Sequence, residues 1–258
     1  MHRVEIDERG VARLTLARSE VHNAFNDALI AALTQSLEEI GANAAVRAVV
    51  LAAEGKSFSA GADLNWMKAM AGYDEVRNLA DAKALSRLLW TLDRLPKPTI
   101  GRVQGAALGG GVGLVACCDM VVASRNASFT LSEVKLGLIP ATIGPYVVAA
   151  IGERACRRYF MTAERISADE ALRLGLVHRL VEPEGLDQAI EDLLGALLAN
   201  GPAALAAAKD LIFAVGGRPV DAAVMDDTAR RIAAARASPE GREGIAAFLE
   251  KRKPGWQR

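Results

Sequence analysis

The chain has 258 residues, of which 51% are hydrophobic and 24% charged, enough to bury one large core. Basic and acidic side chains number 31 each, so the zero net charge gives no electrostatic case for a nucleic-acid or membrane-surface partner. The N-terminus lacks an apolar signal segment, and no apolar run reaches the roughly 18 residues that cross a bilayer. The three cysteines follow no metal or disulfide pattern. We therefore expect a soluble, cytoplasmic protein.

The first part of the chain alternates predicted strands and helices. Apolar and polar residues alternate around an ERG turn, which predicts a hairpin over residues 3–16. Asn26 is placed to cap a helix, and apolar residues at helical spacing extend that helix to about Ile40. A β-branched run that ends at Gly55 predicts a buried strand, followed by the loop KSFSAGADL and a helical segment that reaches about Leu95.

The alternation continues through the middle of the chain, and helices dominate the end. Residues 99–103 predict a strand, and the runs DMVVAS and ASFTL predict two more. From Ser167 onward the apolar spacing is helical. This order predicts an α/β fold in which residues 1–195 form the core and residues 196–258 form a helical region.

The segment AALGGGVGLVACCD (106–119) has four glycines within five positions. A tight turn with closely approaching backbones explains them without any chemistry. A dinucleotide fingerprint fits residues 111–116 by letter but lies mid-chain behind two further glycines, and a phosphate loop would need a following Gly-Lys-Ser/Thr. The fourth interpretation is an oxyanion hole, in which a glycine N–H at a helix start faces a carbonyl oxygen that becomes negative during reaction.

The loop SFSAGADL (57–64) offers a second backbone donor for such a hole. It also consists of small residues after a predicted buried strand, so two neighbouring strand-to-loop turns could place two N–H groups around one oxygen. The three histidines, His2, His22 and His178, show no Ser–His–Asp pattern, and no cluster of metal ligands is recognisable.

Four segments, in this order, resemble the enoyl-CoA hydratase/isomerase family, also called crotonases: AGAD (60–63), ALGGGVGLVACCD (107–119), LSEVKLGLIP (131–140) and RISADEALRLGLV (165–177). The likeness covers essentially the whole chain, including FLEKRKP (248–254). The second and third segments are most similar to bacterial hydratases of methylglutaconyl-CoA and γ-carboxygeranoyl-CoA. The resemblance implies an α/β fold made of a crotonase-like spiral of ββα units, with a C-terminal helical region that forms trimers or dimers of trimers. It also implies acyl-CoA substrates, with no separate cofactor and no metal.

The resemblance places the catalytic groups at three positions. Ala62 and Gly110 supply the two backbone N–H groups, and Glu133 is one of the family's two glutamates. The other glutamate stands three residues after the middle glycine, where this chain has Gly113. The residues alone favour a surface or helix-capping acid at Glu133, since SEVK can open a helix. As the resemblance implies, it is an acid/base whose pKa rises in a partly apolar pocket and which exchanges a proton with the carbon next to the thioester.

Further substrate-binding positions follow from the resemblance. Lys56 lies where the family places a cation for the CoA phosphates, and the backbone around Ala60 receives adenine or pantetheine. Trp66 and Met67 line the acyl pocket, and Gly113 is a further substrate-binding position. A loss of activity in Gly113→Glu would mean that the site uses the space there for something else, such as a bulkier acyl chain. The alternatives are a solvated lysine at position 56 and core packing for Trp66 and Met67.

Two more regions carry substrate-binding predictions. Phe248 and Lys251 match a C-terminal pair that reaches the CoA of a neighbouring subunit, and a solvated helix end is the alternative explanation. Asp63 belongs to the substrate-binding loop, where we expect it, like Asp119, to bond backbone amides rather than to catalyse.

Three functions remain open at this point. The first is an enoyl-CoA hydratase that adds water across the 2,3 double bond of a substrate similar to 3-methylglutaconyl-CoA, with a branched or carboxylated acyl group. The second is an enoyl-CoA isomerase, because Glu133 alone can move a proton between two carbons. The third is a non-catalytic acyl-CoA-binding or RNA-binding member of the fold, and the neutral charge argues against RNA.

Overall fold

A computed structural model describes residues 1–257, which form nine strands and ten helices. The strands are β1 (His2–Ile6), β2 (Val11–Leu16), β3 (Ala48–Ala53), β4 (Thr99–Val103), β5 (Ala106–Leu108), β6 (Met120–Ser124), β7 (Ser128–Thr130), β8 (Ile166–Ser167) and β9 (Arg179–Val181). The helices are α1 (Asp27–Ala42), α2 (Leu64–Met70), α3 (Glu75–Asp93), α4 (Gly110–Ala116), α5 (Gly144–Thr162), α6 (Ala168–Leu174), α7 (Leu186–Leu198), α8 (Pro202–Val215), α9 (Ala222–Ala237) and α10 (Pro239–Leu249).

The strands form two sheets. The larger has the order β1-β2-β3-β4-β6-β9, with an antiparallel hairpin at β1–β2 and parallel pairing elsewhere. The smaller has the order β5-β7-β8 and is extended by a single parallel bridge between Ser59 and Ala107. Three strands of the large sheet, β3, β4 and β6, are each followed by a short stretch that joins the small sheet, and then by a helix.

This repeat is the ββα unit that the resemblance implies. It occurs as β3, Ser59 and α2, then as β4, β5 and α4, and again as β6, β7 and α5. Because each turn from the small sheet into a helix recurs at the same edge, the loops before α2 and α4 lie side by side. The predicted α/β fold with a spiral core is confirmed.

The central strands of the large sheet, β3, β4 and β6, are buried on both faces. Along β3, Val49 and Leu51 point into the main core under α1 and α3, whereas Ala48 and Val50 point into a second core that is covered by α7. Strands that are covered on both sides are continuous apolar runs, which explains why VRAVVLAA shows no polar alternation. The predicted cap of α1 is also confirmed, since the Asn26 side chain accepts a hydrogen bond from the Leu29 N–H.

A half-buried ion pair links helix α8, near the C-terminal end of the chain, to the large sheet. Lys209 of α8 donates to Asp119, with 2.9 Å between Nζ and Oδ2. The same carboxylate accepts hydrogen bonds from the N–H and hydroxyl of Thr99 at the start of β4. Asp119 thus bonds a backbone amide, as predicted, and in addition links the last helices to the core.

The structure differs from the predicted elements in two places. The segment up to Leu95 is not one helix, because it divides at residues 71–74 into α2 and α3. The last third, where helices dominate as predicted, also contains β9, which pairs with β6 at the edge of the large sheet. The division between residues 195 and 196 stays a prediction; α7, whose apolar face packs on the sheet, spans these two residues.

None of the described helices is long and apolar enough to cross a bilayer on its own; residues 183–198 and 202–215, which are separated by a bend of 101°, meet the length and composition only when taken together.

Candidate active site

In the loop between β3 and α2, the backbone N–H of Ala62 lacks an acceptor among residues 1–257, unlike the N–H groups of its neighbours. The N–H of Ala60 bonds the carbonyl of His22 at 2.9 Å, and that of Asp63 bonds the carbonyl of Phe25 at 2.7 Å. Gly61 donates to the hydroxyl of Ser59 at 3.2 Å. Among residues 1–257, no acceptor takes the N–H of Ala62. This N–H is therefore available as a donor.

The turn from β5 into α4 leaves a second N–H unused. The N–H of Gly109 is bonded to the carbonyl of Thr130 at 2.9 Å, and Leu108 donates to the carbonyl of Ser59 at 2.8 Å. Gly110 is the first residue of α4, where a helix has no internal acceptor for its N–H. Within the described part of the chain its N–H finds no other acceptor.

The two loops are in direct contact because glycines remove the side chains between them. A Cβ on residue 61 would lie 2.9 Å from the carbonyl oxygen of Leu108, and one on residue 111 would lie 2.9 Å from the Cβ of Ser59. Distances under 3.0 Å are not tolerated between such atoms, so both positions require glycine. The available N–H groups of Ala62 and Gly110 consequently belong to adjoining loops.

Glu133 stands over the start of α4. It opens a short 3₁₀ helix, Glu133–Leu136, just after β7, whose last residue holds the Gly109 N–H. Gly109 has φ +48°, and a Cβ there would lie 3.2 Å from the carboxyl Oε1 of Glu133. The other oxygen, Oε2, is buried and accepts no hydrogen bond from residues 1–257. Burial raises the pKa of Glu133 above its ordinary 4.5, which is the direction expected for a carboxyl in a partly apolar pocket.

The place of the second family glutamate is filled by an apolar side chain. Gly113 lies one turn after Gly109 on α4, and its N–H bonds the Gly109 carbonyl at 3.3 Å. A Cβ on residue 113 would meet Cγ2 of Ile143 at 2.3 Å and a methyl group of Leu89 at 3.3 Å. Ile143 is 1% exposed. The space beside Gly113 is therefore taken by Ile143, and the substrate-binding role of Gly113 stays a prediction.

The structure brings some of the other predicted residues to this site. Asp63 caps α2 through the Asn65 N–H and pairs with Arg18, so the expected role in holding the loop is confirmed. Trp66 and Met67 are half-buried on α2, directly after that loop. Trp66 packs against the main core and donates to the carboxylate of Asp81, so the alternative of core packing applies to it as well.

Three predicted substrate residues are more exposed. The Lys56 side chain is exposed at the loop after β3, and among residues 1–257 no donor bonds the half-buried Ala60 carbonyl. Phe248 is 82% exposed on α10, and Lys251 follows that helix in a left-handed conformation. The described chain does not bring Phe248 and Lys251 into contact with the candidate site.

Sequence reasoning missed two residues of the site, Arg18 and Ile143. Arg18 contacts a carboxylate 45 positions away, and Ile143 lies in a turn before α5. Arg18 belongs to no motif of the resemblance, and Ile143 lies directly after LSEVKLGLIP (131–140) in the stretch that resembles the family, but only the fold shows what each side chain contacts.

Comparison with known proteins agrees with this geometry. Residues 7–258 match the family model described as enoyl-CoA hydratase/isomerase. The chain belongs to this family. It is similar to the crystal structure of an enoyl-CoA hydratase from Shewanella pealeana, with a TM-score of 0.96 and 48% identity over 99% of this chain and 95% of that one.

Two curated relatives are similar over nearly their whole length. The crotonyl-CoA hydratase of Syntrophomonas wolfei is 32% identical over 95% of this chain and 94% of its own. The 2,3-dehydroadipyl-CoA hydratase of Escherichia coli is 33% identical over 97% of this chain and 96% of its own. These findings confirm the predicted family, and the protein is an enzyme of the hydratase/isomerase kind.

Proposed function

We propose that this family member is an enoyl-CoA hydratase in which Ala62, Gly110 and Glu133 carry the reaction. The observation that carries the proposal is the pair of available N–H groups on two adjoining loops beside a buried, partly unpaired carboxyl. Backbone donors fixed before the reaction stabilise a developing oxyanion without reorganisation. A single missing donor typically costs about 10²–10³-fold in rate.

In the proposed mechanism, one carboxyl serves both halves of the addition. The Glu133 carboxylate takes a proton from water as the water oxygen bonds to C3 of the enoyl group. The electrons of the double bond move onto the thioester oxygen, which the two N–H groups bind as an enolate. Glu133 then returns the proton to C2, so that one water is added and the carboxylate is restored. A raised pKa makes the carboxylate a stronger base for the first of these steps.

The test is turnover of crotonyl-CoA, measured by the loss of enoyl-thioester absorbance. We expect Glu133→Gln to abolish turnover while acyl-CoA binding is retained. Glu153→Gln, at an exposed position on α5, serves as the matched control and should behave as the wild type. Unchanged turnover in Glu133→Gln would refute the assigned role.

An isomerase is the second candidate, because the place of a second acid is occupied by Ile143. In that reaction Glu133 removes a proton from C2 of a 3-enoyl-CoA and delivers it to C4, without water. The enoyl-thioester absorbance then appears instead of being lost. Assays of a 2-enoyl-CoA and a 3-enoyl-CoA at equal enzyme concentration separate the two activities, and no turnover of either favours a non-catalytic acyl-CoA-binding protein.

For the acyl group, we propose a branched or carboxylated chain such as that of 3-methylglutaconyl-CoA. Support comes from the motifs of residues 107–119 and 131–140 and from the relative named for 2,3-dehydroadipyl-CoA, itself a carboxylated substrate. Trp66 and Met67 are proposed to line the acyl pocket. A higher kcat/KM for 3-methylglutaconyl-CoA than for crotonyl-CoA is expected, and the reverse order would refute this substrate class.

We propose that the CoA portion is held by Lys56, by the free carbonyl of Ala60, and by Phe248 and Lys251 of a neighbouring subunit in a trimer or a dimer of trimers. The exposed apolar side chains of the last helices support an assembly, since Met225, Phe248 and Leu249 are 63%, 82% and 73% exposed. Light scattering should give three or six chains per particle. A monomer with full activity would overturn this part of the proposal.

A further inference from the structure

The loop that carries Ala62 is held by a second segment, residues 22–25. Phe25 bonds this loop on both sides of Ala62: its N–H donates to the Gly61 carbonyl at 2.6 Å, and its carbonyl accepts from the Asp63 N–H at 2.7 Å. The hydroxyl of Ser59 donates to the carbonyl of Asn23 at 2.9 Å. Since a peptide is planar, fixing the groups on either side of Ala62 fixes the direction of its N–H.

The Arg18 guanidinium joins this segment to the loop. Its Nη1 donates to the Ala24 carbonyl at 2.7 Å, and its Nη2 donates to Asp63 Oδ2 at 2.9 Å. The other oxygen of Asp63 accepts the Asn65 N–H at 2.9 Å and so caps α2. The Arg18 and Asp63 side chains are 15% and 10% exposed, which shields the pair from water and salt.

We propose that Arg18 is a positioning residue that sets the direction of the Ala62 N–H toward the substrate's thioester oxygen. The inference rests on the proposed function, because it gives Arg18 the role of orienting one of the two N–H groups that bind the enolate. Arg18 acts through the loop and does not touch the reacting atoms. A lysine has a single compact ammonium and lacks the planar fork that reaches both the Ala24 carbonyl and the Asp63 carboxylate.

The experiment uses acetoacetyl-CoA, a β-keto thioester whose enolate absorbs in the near ultraviolet. Bound to the wild-type enzyme, we expect this probe to show an increased enolate fraction, because the two N–H groups favour the enolate over the keto form. Arg18→Met should lower the enolate affinity and kcat by about 10²-fold, within the range typical of one lost oxyanion donor. KM should change much less, because most of the binding surface of a CoA thioester lies outside the oxyanion hole.

Two further variants keep the test decisive. Arg18→Lys retains the charge and should recover only part of the enolate signal, and it replaces Arg18→Met if that variant does not fold. Arg102→Met is the matched control: it breaks a similar pair, Arg102 of β4 with Asp187 of α7, whose arginine is 18% exposed, and it should leave kcat and the enolate signal unchanged.

The outcomes separate this inference from the proposed function. A wild-type enzyme that does not favour the enolate overturns the proposed oxyanion hole, and the inference with it. A wild type that favours the enolate, together with Arg18 variants that match it in enolate signal and kcat, overturns the inference alone. A loss in Arg18→Met that Arg102→Met reproduces assigns the effect to general stability and also overturns it.

Discussion

The two loops that meet at the candidate site share backbone hydrogen bonds and one close glycine contact, between Gly61 and Leu108, but the side chains that hold each loop act by different physical means. The loop at residues 59–63 is fixed by polar bonds, through Ser59, Asp63 and the Arg18 guanidinium. The turn at residues 108–113 is fixed by close packing, with side chains pressed against bare glycine backbone. A hydrogen-bonded loop loses its support when one bonding partner is removed. A closely packed turn must move as soon as one carbon atom is added.

The packed turn gives the largest expected effect. A Cβ on residue 110 would lie 2.8 Å from Cε2 of the buried Phe25, so Gly110→Ala must displace the turn and its N–H. We expect kcat/KM for crotonyl-CoA to fall by about 10²–10³-fold, as for a lost oxyanion donor. Gly195→Ala is the control, since a Cβ at that exposed position of α7 meets nothing. Equal activities of the two variants would contradict this view of the turn.

Gly113→Glu tests the close packing between α4 and the apolar side chain of Ile143. Its Cβ would overlap Ile143, and overpacking of a core typically costs about 1–3 kcal/mol, so the single variant should unfold earlier and lose activity. Gly113→Glu combined with Ile143→Gly makes room for the second acid. We expect this double variant to recover thermal stability and to hydrate crotonyl-CoA faster than Ile143→Gly alone. No gain over Ile143→Gly would show that a carboxyl at position 113 cannot reach the reacting carbons.

Ser59→Ala tests the polar loop. The hydroxyl bonds both the Asn23 carbonyl and the Gly61 N–H, and leaving such buried groups unpaired costs about 1–3 kcal/mol. We expect lower thermal stability together with a fall in kcat of about tenfold, less than the loss of a whole donor. Ser124→Ala, which removes another buried hydroxyl bond, should lower stability alone. A fall in kcat for Ser124→Ala of the same size would contradict a local effect.

The smallest expected effect is on the pH dependence of stability. Because burial raises the folded-state pKa of Glu133 above 4.5, its contribution to stability is fully present below that pH and is lost as pH rises through the folded-state pKa. Glu133→Gln does not ionise, so its melting temperature should exceed that of the wild type at pH 7 and the difference should shrink toward pH 4. A difference that grows on acidification would show that the carboxylate, not the acid, is favoured by the fold.

The sequence was most informative where the signal was local. The cap at Asn26 and the apolar spacing of α1 predicted that helix, and the motif order predicted the family and the positions of Glu133 and Gly113. The break between α2 and α3 was missed because helical residues continue on both sides of it. The strand β9 was missed because its three residues form a strand only by pairing with β6.

The missing part of the site was long-range in nature. Nothing near Arg18 in the sequence indicates that it reaches Asp63, and nothing near Ile143 indicates that it packs on Gly113. Both contacts depend on how successive ββα units stack. The motifs therefore predicted which groups take part in the chemistry, and the fold was needed to find the residues that hold them.

The contact between Ile143 and Gly113 also bears on how such a site can change over generations. A second acid cannot be gained by starting at position 113, because the new side chain would collide with Ile143 before it gave any benefit. The gain is open only in the opposite order, with a smaller residue at position 143 first. Ile143 thus makes two single substitutions depend on their order, and variants at these positions are best made together.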